Sequence, residues 1–137
     1  MPFTGNATCN SFKYGLINGD FTFDGSQSYK IALYNNSASL TASTAAYTTD
    51  GEISGSGYTA GGELLTPTEG ISSGVAYVTF ANVTWSGAFT VRGALIYQVS
   101  SGTAVCVLDF GSDKVSQNTF TVEFPTAGPT TGLIRLS

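Results

Sequence analysis

The side chains that could do chemistry are few and widely spaced. Histidine is absent, which takes away the commonest general base and the commonest metal ligand. A serine or cysteine nucleophile would need an activating base beside it, and the sequence supplies no evident one. Carboxylate pairs can act as acid and base in the manner of glycosidases. The pairs that lie close in sequence are Asp109 with Asp113 and Asp20 with Asp24. Asp109 falls in an expected strand and Asp113 in the turn after it, an arrangement suited to capping a turn through side-chain hydrogen bonds. Acidic loops rich in Gly and Ser also suit calcium, which takes hard oxygen ligands, but no D-x-D-x-D run occurs. Cys9 and Cys106 are far apart and too few to make a zinc site alone. Gly55-Ser56-Gly57-Tyr58-Thr59-Ala60 satisfies the dinucleotide pattern G-x-G-x-x-A, yet that fingerprint works only between a parallel strand and a helix. Gly61 and Gly62 follow instead, so the glycines read as turns needing positive φ. No catalytic, cofactor-binding or metal-binding residue is assigned, and the chain is expected not to be an enzyme.

Whatever the chain does must then rest on its surfaces, and the bulk composition describes those. Its 137 residues match one domain, residues 1–137, with a self-sustaining core. Charged residues make up only 10 %, against about 25 % in ordinary globular proteins, and Gly, Ser, Thr and Asn take their place. A surface so poor in charge is weakly defended against association. The net charge is −4 and the basic residues Lys13, Lys30, Arg92, Lys114 and Arg135 are scattered singly, so no patch exists to neutralise nucleic-acid phosphates. No apolar run approaches the roughly 20 residues that span a bilayer. Residues 1–10 lack both the basic start and the apolar stretch of a signal peptide. Synthesis in a cytosol is therefore expected, with Cys9 and Cys106 as free thiols.

One segment reads as helical. Asn10-Ser11 can cap a helix over residues 10–18, Phe12, Leu16 and Ile17 share a face, and Gly19 suits its end. Residues 1–8 contain Pro2, Gly5 and Asn6 and are expected to form an extended arm leaving the body. From residue 29 to 137 the pattern is strand and turn. Tyr29–Tyr34 is nearly continuous in apolar residues, as a central strand should be. Val75–Phe80, Ala88–Tyr97, Ala104–Phe110, Thr119–Phe124 and Gly132–Leu136 follow. Cys106 is placed on one strand face with Ala104, Leu108 and Phe110, as a small core hydrophobe. Gly111-Ser112-Asp113-Lys114 reads as a turn. Residues 35–74 are a long stretch of Ser, Thr, Ala and Gly, too long for a structureless loop. Short strands are expected there near Glu52-Ile53 and Glu63-Leu64-Leu65, lying over a sheet edge and serving as an interface segment. The fold expected is mainly β: an antiparallel sandwich, jelly-roll or immunoglobulin-like, with one short N-terminal helix. The aromatics Phe80, Trp85, Phe89, Phe110, Phe120 and Phe124 fall at core-like positions.

Three stretches together resemble a known family. They are Cys9-Asn10-Ser11-Phe12-Lys13 leading to Tyr29–Tyr34; Ala46-Tyr47-Thr48-Thr49 followed by Gly55–Gly62; and Thr84-Trp85 with Arg92–Tyr97 and Val107–Lys114. In that order they are similar to a family of small β-rich structural proteins of tailed bacteriophages and prophages, over nearly the whole chain from Cys9 to Leu136. The sequence departs from the family pattern at Gly15 and at Asn18 to Phe21, where members carry Glu and His. The resemblance implies a virion protein made in the bacterial cytoplasm, a homo-oligomer (a trimer, by analogy with decoration proteins) whose partners are the major capsid protein or other virion proteins. The role expected is a capsid decoration, or cement, protein. The alternatives are a neck, tail or fibre-attachment component, and a carbohydrate-binding module on the virion that would expose Trp or Tyr in a groove.

Overall fold

In the computed structural model residues 5–136 are described, and their architecture follows from strands buried on two sides. Strand β1 spans Ala7–Thr8, helix α1 Asn10–Asn18, β2 Tyr29–Tyr34, β3 Glu63–Leu65, β4 Pro67–Ser72 and β5 Val75–Phe80. After these come β6 Val83–Ser86, β7 Phe89–Gln98, β8 Ala104–Ser116, β9 Thr119–Val122 and β10 Ile134–Leu136. A five-stranded sheet has the order β1-β8-β7-β2-β3, a three-stranded sheet β10-β5-β4, and β6 pairs with β9. Every pairing is antiparallel.

The central strand β2 shows why its apolar run is continuous. Tyr29, Ile31 and Leu33 point into one apolar cluster, and Ala32 and Tyr34 into another. In β7, Ala94 and Ile96 join the first cluster while Leu95 and Tyr97 join the second. The first face is covered by Phe12 of α1, by Phe21 and Phe23 of the loop after it, and by residues of the two smaller sheets, including Val78, Phe80, Trp85 and Val122. Phe23 stacks on Tyr29 at 4.6 Å between centroids, and Phe12 meets Phe21 edge-on at 4.9 Å. The second face is covered by Cys9, Ala38 and Leu40, with Tyr47 against them. The segment expected over an edge thus lies partly across a face of its own sheet. Its short strand at residues 63–65 is present, and near Ile53 a single bridge joins Glu52 to Tyr34.

Several local expectations are corrected. Cys9, in extended conformation and without a side-chain hydrogen bond, precedes α1, instead of an Asn10-Ser11 cap. Ser11 Oγ donates to the Ala104 carbonyl, 2.8 Å away, and so serves tertiary docking. Ile17 is 90 % exposed, because the buried face runs through Phe12 and Gly15. Gly19 ends the helix in left-handed conformation at φ 82°, as expected. The arm is shorter than expected: Ala7 and Thr8 pair with Val107 and Cys106, and Asn6 Oδ1 accepts from the Asp109 amide. The rest of the expected arm, residues 1–4, lies outside the described residues.

Strand β8 carries two irregularities that sequence alternation does not reveal. Ile96 faces Cys106 but Tyr97 faces Ala104, so Val105 is an extra residue. This bulge puts Ala104 in the second cluster and Cys106 in the first, on opposite sides of the sheet. Farther along, Val91 faces Lys114 and Gly93 faces Asp109, leaving Arg92 opposite Phe110 to Asp113. Gly111, at φ 85°, allows the distortion. The expected turn at residues 111–114 is therefore a bulge inside one long strand.

Candidate functional site

The residues singled out for possible chemistry are dispersed, and most of the carboxylates are locally engaged. Asp109 pairs with the Arg92 guanidinium across the β7–β8 bulge and also accepts the Gly111 amide at 2.8 Å. The Gly111 hydrogen bond, followed by the hydrogen bond and charge of Arg92, holds its carboxyl below the usual range. Asp113 is exposed within the same bulged stretch. Asp24 accepts both the hydroxyl and the amide of Ser26, at 2.6 and 3.0 Å, and these bonds lower its pKa. Asp20 accepts the Asn18 amide group at 3.2 Å. Asp109, Asp20 and Asp24 thus organise turns and a bulge, and Asp113 does not join Asp109 in a shared site. Among the described residues no three His, Cys, Asp or Glu side chains gather as metal ligands. The thiols of Cys9 and Cys106 are free and buried. Burial pushes them up to about 11 and about 12, the opposite of what a reactive thiolate requires.

The G-x-G-x-x-A stretch has a role that its pattern did not suggest. Gly57, at φ 88°, packs so tightly that a Cβ there would sit 1.7 Å from the Ser86 carbonyl oxygen. This close approach carries Tyr58 to a cluster that sequence reading missed. Glu52 Oε2 accepts from the Tyr58 hydroxyl at 2.5 Å and from the Gly61 amide at 2.7 Å. Its other oxygen accepts from the Tyr47 hydroxyl at 2.5 Å. Tyr58 Oη in turn accepts the Leu33 amide at 3.0 Å. Tyr47 stacks on Tyr97, whose hydroxyl donates to the Gly61 carbonyl, and the Tyr34 hydroxyl donates to the Thr48 carbonyl. Desolvation raises the pKa of all four phenols, so each keeps its proton near neutral pH and none is a base there. With carboxylate and phenols mutually bonded, the group acts as a clasp holding residues 47–61 to β2 and β7.

An apolar groove left open lies elsewhere. A groove of about 130 Å³ runs between α1 and the three-stranded sheet, lined by Phe12 and Leu16, Ala76 to Val78, Ile134 and Leu136, with Glu69 at its rim. It shares Phe12, Leu16, Ile134 and Leu136 with a wider cleft of about 700 Å³ that adds Lys13 and Arg135. The sheet register explains the wall. Glu69, Val78 and Ile134 stand in one cross-strand row, and Ile71, Ala76 and Leu136 in the next. Alternation puts both rows on one face. Ile71 is 73 % exposed, Leu136 55 % and Ile17, one residue past Leu16, 90 %. These are three of the seven large apolar side chains that the described residues expose. Trp85, by contrast, is 1 % exposed, and Tyr77 lines the groove half-buried. An exposed aromatic platform for sugar is not found in this groove.

Comparison with protein-family models, with curated proteins and with solved structures finds no match. No helix among the described residues is long and apolar enough to cross a membrane.

Proposed function

We propose that this chain is a non-enzymatic structural protein of a tailed-bacteriophage virion, and within it a decoration protein that cements the head shell. The observation that carries the assembly role is the exposed apolar groove between α1 and the three-stranded sheet, set in a surface with only 10 % charged residues. Contiguous apolar surface rimmed by polar groups marks association sites in soluble proteins. The phage setting is supported by the resemblance of the motifs at Cys9–Lys13, Gly55–Gly62 and Arg92–Tyr97 alone. On this reading the two-sided packing is a β-sandwich of the jelly-roll or immunoglobulin-like kind. The outward residues of the 35–74 segment, among them Ser39, Ser43 and Asp50, add a polar contact surface. The partner is the major capsid protein, and the chain acts as a homo-oligomer, with a trimer as the reference state. A protein that binds only the assembled shell stabilises it by mass action, with no chemistry required.

Virions lacking this chain test the proposal under heating or dilution into low salt. Shells that rupture more readily than wild type, and regain stability when purified protein is added back, support cement. Shells as robust as wild type with tails that fail to attach would transfer the role to neck or tail. Densitometry of purified virions gives the same decision through copy number, since cement requires many copies per shell and a neck or tail component few.

A further inference from the structure

We infer that Asn18 is a site of spontaneous deamidation, a modification built into the turn that ends α1. A backbone amide attacks the side chain of the preceding Asn or Asp most readily when it belongs to glycine, which puts no side chain in the path. The sequence holds three such pairs, Asn18-Gly19, Asp24-Gly25 and Asp50-Gly51. The fold disables two of them. Gly51 is packed so closely that a Cβ there would meet the Ala38 backbone at 2.6 Å, and its carbonyl accepts the Asn35 amide at 2.8 Å. The peptide between Asp50 and Gly51 is thereby locked against the rotation that attack requires. Asp24 is held ionised by hydrogen bonds from the Ser26 hydroxyl and amide, and a carboxylate that keeps its charge is a poor electrophile.

Asn18 has neither protection. It is the last residue of α1, where helices fray. Asn18 and Gly19 are both exposed, and a Cβ at Gly19 would meet nothing within 4 Å. The Gly19 amide shares its proton between the Gly15 and Leu16 carbonyls, the latter 3.3 Å away, and the Asn18 side chain is held by a solvent-exposed bond to the Asp20 carboxylate at 3.2 Å. The helix end also explains why a glycine stands there. Left-handed Gly19 lets the Asp20 amide reach back to the Gly15 carbonyl at 2.8 Å, a Schellman turn. That turn lays the Phe21 ring over Gly15, where a Cβ would lie 2.3 Å from it. Docking of α1 thus requires the residue that opens Asn18 to attack. In the reaction the Gly19 nitrogen, on losing its proton to base, bonds to Asn18 Cγ and closes a succinimide, while the side-chain NH2 gains a proton and leaves as ammonia. Water then opens the ring at either carbonyl, leaving aspartate or isoaspartate at position 18. Both products add a negative charge beside Asp20 and at the helix C-terminus, where the dipole disfavours anions. Isoaspartate also adds a methylene to the backbone that carries Phe21 onto Gly15, so the modified helix docks less firmly.

Peptide mapping by mass spectrometry tests this on the full chain aged in mildly alkaline buffer, with and without denaturant. The expected result in the native chain is conversion at Asn18 into two products, isoaspartate the larger, with no isoaspartate at Asp24 or Asp50. Because a fraying helix end opens at little cost, the native rate should lie within about tenfold of the denatured one, and it should rise with hydroxide concentration. Asn18→Ser should abolish the reaction while keeping the fresh chain's circular dichroism and melting curve, since the side chain is exposed. Hydrogen exchange of the α1 amides should then be faster in aged wild type than in aged Asn18→Ser, a comparison that removes general damage as the cause. Asn18 that stays intact in the native chain while converting in denaturant would overturn the site. Isoaspartate at Asp24 or Asp50 as abundant as at Asn18 would overturn the selectivity that the fold is argued to impose.

Discussion

Replacing Glu52 by Ala should loosen one segment of the molecule more than the whole. The carboxylate accepts three hydrogen bonds, from Tyr47, Tyr58 and the Gly61 amide. Each bond to a charged acceptor contributes about 1.5–3 kcal/mol when shielded from water. Glu52 is only half-buried, so water takes over part of each bond in the variant and the net loss falls to about 2–4 kcal/mol. For a domain of this size that lowers Tm by about 6–12 °C. Glu52→Gln keeps the shape and one good acceptor, and its loss should be about half as large. Hydrogen exchange gives the decisive readout, because the clasp fastens residues 47–61 across the second sheet face. Amides such as Tyr47, bonded to the Gly102 carbonyl, and Gly62, bonded to Thr59, should exchange faster in the variant. Those of the β2–β7 ladder should change only with global stability. A Tm shift below about 1 °C, or acceleration spread evenly over the ladder, would refute the clasp.

Three further outcomes follow from the same packing. Cys9 and Cys106, with thiols raised to about 11 and about 12 by burial, should resist a thiol reagent at pH 8 in the native protein and react fully in denaturant; prompt native labelling would contradict their placement. Five tyrosines (Tyr29, Tyr34, Tyr47, Tyr58 and Tyr97) ionise above the ordinary value in the folded chain, Tyr29 at about 12. Their contribution to stability is therefore full below about pH 10 and is lost as pH rises toward 12 and beyond, so denaturant midpoints should be flat near neutrality and fall above pH 10, in step with absorbance at 295 nm. Gly62→Ala should prevent stable folding, since a Cβ at its φ of 83° would lie 1.8 Å from the Ile31 carbonyl oxygen; a soluble variant with a wild-type melting curve would show that the β2–β3 contact is looser than described.

The strands that face apolar surroundings were legible because burial leaves a local trace. The run Tyr29–Tyr34 announced a strand enclosed on both sides, and Gly19 announced the end of α1. The β4–β5 hairpin was half-missed: Val75–Phe80 is apolar, but Pro67–Ser72 is polar and reads as loop. Its turn, Ser73-Gly74, has φ of 52° and 78°, which makes it a tight two-residue connection. The exposed Ile17 was misread because helical spacing specifies angles about an axis and not which side of the axis the sheet will take.

Composition and periodicity by themselves determined that the chain is mainly β, carries one short helix, and offers few and scattered groups for chemistry. Those properties depend on single residues and near neighbours, which is where propensity and alternation act. Tertiary structure alone decided the rest. The bulge at Val105 moved Ala104 and Cys106 to opposite faces, because an inserted residue shifts every side chain beyond it. Glu52, Tyr47 and Tyr58, neighbours within one polar segment, became a clasp on β2 and β7 through Leu33 and Tyr97, contacts that no local pattern marks. The groove likewise joins Phe12 and Leu16 with Ala76, Val78 and Leu136, residues from the two ends and the middle of the chain that become neighbours only when the three-stranded sheet packs beside α1.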